Sequence, residues 1–178
     1  MEVESTNNKI KKIEEIEKII NEKYPEKYSS YLFYTDWSNP EKIVEIVELF
    51  KKITNNQYRI FARSLEILKN NKSNEYVYNI TTQRQCKNDI HPASLSYILS
   101  LIKSSDKGSY LIDCLDTMAL FTAQEKSSDG WNKVIKFLSE AQDVVNDKGG
   151  LQFLLVQRNT IPNKWITYLK RWSFPIYI

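Results

Sequence analysis

GSYLIDCLD, residues Gly108 to Asp116, sets the architecture of the chain. Ser109, Tyr110, Leu111, Ile112 and Cys114 form a short apolar run that ends on acid, first Asp113 and then Asp116. A run this short, bounded by Gly and Asp, predicts a strand buried on both faces, the central strand of a parallel sheet. Tyr110 and Ile112 then face one side and Leu111 the other. Asp113 leaves the sheet where the neighbouring strands also end.

On either side of this strand, helix and strand signals alternate. Towards the amino terminus, Tyr31–Thr35 (YLFYT) reads as a first strand. The turn chemistry of Asp36 to Pro40 caps a helix from about Glu41 to Ile53, with Ile43, Ile46, Val47, Phe50 and Ile53 on one face. Asn55-Asn56 can end it, because Asn tolerates the left-handed conformation. Tyr58–Ala62 is a second strand, Ser64–Asn70 a short helix and Tyr76–Thr81 a third strand. Gln83–Asp89 reads as a polar loop, and His91-Pro92 opens a helix striped by Leu95, Ile98, Leu99 and Ile102. A helix over 7–22, with isoleucines three or four apart, precedes the first strand. It can pack on the domain or pair with its copy in a second chain as a short coiled coil.

Towards the carboxyl terminus, residues 115–128 are ambiguous: Met118 to Phe121 fit one helical turn, and Gln124 to Ser128 a loop. Asp129 can cap a long helix with Trp131, Val134, Ile135, Leu138 and Val145 on one side, closed by Gly149-Gly150. Leu151–Val156 is another buried strand. Thr160 and Pro162 open a helix with Trp165, Tyr168, Leu169 and Trp172 inside. Ser173–Ile178 is a last strand, which Pro175 confines to an edge. The expected fold is therefore a three-layer α/β/α domain over residues 29–178 with a mostly parallel sheet, preceded by a helix and connection over 1–28.

The bulk numbers agree. A chain of 178 residues with 42% hydrophobic and 26% charged residues fits one folded domain. No apolar run approaches the roughly 20 residues that span a bilayer, and the charged first twenty residues contain no secretory leader. Two cysteines, Cys86 and Cys114, make no disulfide framework and point to a cytoplasmic setting. Of the net charge of +3, residues 150–178 supply +4 through Arg158, Lys164, Lys170 and Arg171, leaving −1 for the rest. That basic segment also carries Trp165, Tyr168, Trp172 and Tyr177, a composition that suits a nucleic-acid surface and equally a helix with a solvated basic face.

The order of these segments resembles the archaeal domain-of-unknown-function family numbered eight-three-five. The resemblance covers about residues 30–178 and rests on YLFYTD (31–36), YRIFARSLEIL (58–68), YVYNITTQ (76–83), HPASLSYILSLI (91–102), GSYLIDCLD (108–116) and GWNKVIKFLSEAQDVV (130–145). It implies a degenerate relative of the RecA-like α/β fold that accompanies signalling modules. It brings no catalytic residues. This chain departs from the pattern where Gly or Pro would flank the second strand.

Few chemistries survive inspection of the residues. Asp113 at the end of an apolar strand looks like a Walker B aspartate, but none of the four glycines belongs to G-x-x-x-x-G-K-[ST] or G-x-G-x-x-G. His91 is the single histidine, so a His-rich zinc site is excluded, and the two cysteines are too few for a thiolate site. At the start of a helix, His91 is expected on the sheet edge opposite any active edge, and G-x-S-x-G is absent. Cys114 reads as a small core hydrophobe. What remains is a set of charges just past strand ends, where open parallel sheets bind ligands: Asp36, Arg63, Arg84, Asp113, Asp116 and Arg158. Three Arg and three Asp can hold a small anionic ligand or neutralise one another, and an Arg is the expected partner of Asp113. The expected function is a non-enzymatic cytoplasmic signalling or protein-interaction domain. It has no cofactor, metal or membrane, and a protein partner, a homodimer through the first helix among the options. The alternative is a nucleic-acid-binding regulator using Arg158, Lys164, Lys170 and Arg171.

Overall fold

The computed structural model describes residues 12–36, 38–124, 127–157 and 159–178. In chain order the elements are α1 (Ile13–Lys23), β1 (Ser30–Thr35), α2 (Pro40–Ile53), β2 (Arg59–Ala62), α3 (Leu65–Asn70), β3 (Val77–Ile80), β4 (Asp89–Ile90), α4 (Leu95–Ser104), β5 (Tyr110–Ile112), α5 (Leu115–Thr122), α6 (Ser127–Lys148), β6 (Gln152–Gln157), α7 (Asn163–Leu169) and β7 (Phe174–Tyr177). One sheet runs β4-β3-β2-β5-β6-β1-β7, and every pairing in it is parallel. Among the described residues, no helix is long and apolar enough to cross a membrane.

The strand read from GSYLIDCLD sits in the middle. β5 is the fourth of seven strands, with Leu111 paired to Ile60 on one side and Phe153 on the other. Tyr110 and Ile112 pack into the layer formed by α4, α5, α6 and α7, together with Phe61, Leu154 and Val156. Leu111 packs into the opposite layer, with Tyr31, Phe33, Ile60 and Phe153 against α1, α2 and α3. All three are fully buried. Burial of each large side chain contributes roughly 1.5–3 kcal/mol, which is why a three-residue strand holds the centre of the sheet.

The helices lie on the faces that right-handed crossovers require. β1, β2 and β3 each connect leftwards in the written order and carry α2 and α3 on one face. β4, β5 and β6 connect rightwards and carry α4, α5, α6 and α7 on the other. Pro175 lies in the edge strand β7, where its missing N–H costs no ladder bond. Asn55 and Asn56 take positive φ after α2, and Gly149, at φ 68°, closes α6.

The first helix is placed by its isoleucines. Ile16 and Ile20 are fully buried in the α2 layer, and Lys52 pairs with Glu17 across α1 and α2. The apolar stripe expected to serve a coiled coil is thus already covered within the chain. Residues 7–11 of the expected helix lie outside the described residues.

Four expectations are corrected. Asp89 belongs not to a loop but to β4, a two-residue strand that adds a seventh position to the sheet. Its carboxylate accepts hydrogen bonds from the Gln85 and Cys86 amides at 2.8 and 2.9 Å, folding the polar segment back on the strand. α4 starts at Leu95 rather than Pro92. Leu115–Thr122 forms a helix of 8 residues, and Asp129 lies in the first turn of α6 rather than at its cap. Of the expected loop Gln124–Ser128, residues 125 and 126 lie outside the described set.

Candidate functional site

β2 and β5 are neighbours whose chains leave in opposite directions: β2 feeds α3 on one face, and β5 feeds α5 on the other. Diverging connections open a crevice between the two strand ends, the place where open α/β sheets bind ligands. Here it has a volume of about 190 Å³ and is lined by Arg63, Ser64, Asp113, Cys114, Asp116 and Thr117.

Asp113 forms its floor. The side chain is only 4% exposed, and its two carboxylate oxygens accept hydrogen bonds from successive backbone amides, Arg63 N–H at 2.8 Å and Ser64 N–H at 2.9 Å. β2 and β5 run parallel and in register, so the chain after β2 turns its amides across the end of β5. Burial pushes the Asp113 carboxyl up to about 6. The two amides and the Cys114 thiol pull it back down, and the charge of Asp116 adds a smaller upward push. Burial likewise raises the Cys114 thiol well above its ordinary value, and the neighbouring Asp113 charge pushes it the same way.

The expected Arg partner of Asp113 is therefore corrected. It is the backbone of Arg63, not its guanidinium, that meets the carboxylate. The guanidinium reaches instead to the Ile80 carbonyl at the end of β3, at 3.1 Å. Among the described residues no ion pair joins Asp113, Asp116, Arg63 or Arg84. A buried carboxylate can do without a cation when several aligned N–H dipoles point at it.

The six charges expected at one rim are distributed over more than one place. Arg63, Asp113 and Asp116 share the crevice. Asp36 follows β1, two strands away from β5, or about 10 Å sideways. There it accepts the Ser38 amide at 2.9 Å and lines a separate crevice of about 180 Å³ with Ser38, Asn39, Lys42, Ile43 and Ile178. Arg84 sits in the segment between β3 and β4, where it makes a long contact of 3.5 Å to the Ser94 hydroxyl. Arg158 lies outside the described residues. Ser64, Cys114 and Thr117 were missed as site residues. The signal was available, since each immediately adjoins a strand-end residue that was singled out or begins the next helix.

His91 is also relocated. Because β4 precedes it, it stands at the carboxyl edge of the sheet rather than the opposite one. Its Nδ1 accepts the Ala93 amide at 3.1 Å, and its ring meets Phe121 edge-on at 5.7 Å.

The basic carboxyl-terminal segment is used internally. Lys164 lies 4.3 Å from the Trp165 ring centre, Lys170 lies 5.9 Å from that of Tyr34, and Arg171 lies 5.8 Å from that of Tyr168. Trp165, Tyr168 and Trp172 are half-buried against the core rather than inside it. Lys164 and Arg171 thus share the partly exposed rings of Trp165 and Tyr168 that a nucleic-acid base would need for stacking, and Tyr34 beside Lys170 is itself buried.

Among the described residues no cluster of three or more metal-ligating side chains occurs. No family model matches the chain, and no curated protein or solved structure matches it either.

Proposed function

We propose that the protein is a non-enzymatic domain of the signalling or protein-interaction type, and that it takes a small ligand in the crevice between the ends of β2 and β5. The observation that carries this reading is Asp113. A carboxylate only 4% exposed that still forms the floor of an open crevice at a topological switch point is costly, and such costs concentrate at sites. The likeness of segment order to archaeal signalling domains points the same way. A cytoplasmic setting is part of the same proposal.

The ligand follows from the lining. An anion would face two carboxylates, and the two amides suited to hold it are already committed to Asp113. The crevice instead favours a small ligand rich in hydrogen-bond donors, an amine or a guanidine, with Asp113 and Asp116 as acceptors. This replaces the anionic ligand suggested by three arginines: of the two that are described, Arg63 lines the crevice and Arg84 does not.

Calorimetry with putrescine, ethanolamine, free arginine and inorganic phosphate tests the proposal. Saturable binding of an amine or guanidine, lost in Asp116→Asn with the fold retained, is the expected result. Binding of phosphate alone, or amine binding indifferent to Asp116→Asn, overturns it. The nucleic-acid alternative finds less support, because its lysines and Arg171 lie on the chain's own aromatic rings.

A further inference from the structure

α5 carries large apolar side chains beyond its buried face. Leu115, Met118 and Ala119 are buried, yet Leu120 is 69% exposed and Phe121 42% exposed. Large apolar side chains grouped on the outer side of a helix mark a surface that a partner can cover. Leu120 lies four residues after Asp116 and three after Thr117, so it extends the same helix face that lines the crevice. Across the crevice Leu65, 68% exposed, follows Ser64 at the start of α3. One rim thus combines exposed Leu65, Leu120 and Phe121 with exposed Arg63 and Asp116, a mixture that marks an interaction surface.

We infer that a second copy of this chain covers this rim, in a two-fold dimer that sets Arg63 of each protomer against Asp116 of the other. The charge pattern selects this occupant. A patch of one sign would repel its own copy, whereas a patch with an exposed cation and an exposed anion is complementary to itself under a two-fold axis. Among the described residues the Arg63 guanidinium spends one N–H on the Ile80 carbonyl, and its other donors can meet a carboxylate. Asp116 is exposed and has no hydrogen bond or ion pair among the described residues. The apolar side chains supply a desolvated centre, and the charges fix its orientation. The first helix cannot serve instead, because Ile16 and Ile20 are buried within the chain. Closure of the dimer places the mouth of the crevice at the interface, with or without a ligand inside it.

Sedimentation velocity from micromolar to hundreds of micromolar protein tests the dimer. The wild-type chain is expected to self-associate, and Leu120→Asp, at a position exposed enough to leave folding intact, to weaken association at least tenfold. Arg63→Asp and Asp116→Arg should each be monomeric alone. Mixed in equal amounts they should form a heterodimer. The aspartate introduced at position 63 of one chain then meets the arginine introduced at position 116 of the other, and the native Arg63 and Asp116 meet at the second contact. A monomeric wild type throughout the range, a dimer indifferent to Leu120→Asp, or a failure of the mixed variants to associate overturns the inference. Circular dichroism melts of each variant separate lost association from lost folding.

Discussion

Replacing Asp113 by Asn separates the cost of its charge from the value of its hydrogen bonds. With the folded carboxyl at about 6 against 3.8 for the free group, the folded chain holds its proton over a range where the unfolded chain has lost it. Stability rises with pH only where the unfolded state binds more protons, and here the folded state binds more. The contribution is therefore fully present below about pH 4 and is lost as pH rises through about 6. At 1.36 kcal/mol per tenfold change, the wild type should lose roughly 2–3 kcal/mol of stability from this group between pH 4 and pH 7.5. The amide of the variant cannot ionise. It retains one acceptor oxygen and turns an N–H₂ group towards the Arg63 or Ser64 N–H, a buried mismatch that costs about 1–3 kcal/mol at every pH. The stability difference between wild type and Asp113→Asn should then favour the wild type in acid and shrink by roughly 2–3 kcal/mol towards neutrality. Urea unfolding followed by tryptophan fluorescence at a series of pH values measures it. A difference that stays constant, or that grows in favour of the wild type as pH rises, would overturn this assignment. Growth of that kind is the behaviour of a carboxylate paired to an arginine.

Asp116→Asn removes the charge that pushes the Asp113 carboxyl up, so the acid-side transition should move to lower pH in the same titration. Gly130→Ala sets a Cβ 1.7 Å from the Ala119 carbonyl oxygen, where α5 meets α6. Because the obstacle is backbone, the chain must shift, and a loss of about 1–3 kcal/mol or more in urea unfolding is expected. Tyr110→Phe deprives the buried Gln152 Oε1 of its donor within the chain Tyr110–Gln152–Ser30–Ser173, which should cost about 1–3 kcal/mol with the fold retained. If the basic segment bound DNA, charge reversal at Lys164 and Lys170 would flatten the salt dependence of binding. Retardation is expected to be absent for wild type and variant alike at low salt.

Much of the fold was legible because burial on both faces leaves a plain mark in sequence. The strands at Tyr31, Tyr58, Tyr110 and Leu151 are short apolar runs next to turn residues, and each appears within one or two residues of its expected place. β4 was not legible: two residues carry no periodicity, and it exists because the Asn79–Ile80 edge offers hydrogen-bond partners. α5 was ambiguous for the same reason that its outer side invites a partner, since exposed Leu120 and Phe121 beside Asp116 and Thr117 blur the amphipathic stripe. At the site, the strand-end rule named Arg63, Asp113 and Asp116, which do share one crevice, but could not resolve lateral position. Asp36 and Asp113 both end strands, and only the non-sequential order of β1 and β5 in the sheet separates them. That Asp113 would take its partners from backbone amides was beyond any reading of side chains.

If the crevice between β2 and β5 receives a ligand, the backbone amides of Arg63 and Ser64 report on it, because they hold Asp113. Their resonances, with those of Asp116 and Thr117, can be followed in a two-dimensional nitrogen–proton correlation spectrum during titration with putrescine and with free arginine. Saturable shifts confined to these four amides and their neighbours, abolished in Asp116→Asn, are expected. Shifts that are absent at this rim, or that fall instead around the Lys69–Asn74 turn at the opposite edge of the sheet, would exclude a ligand of this class from the crevice.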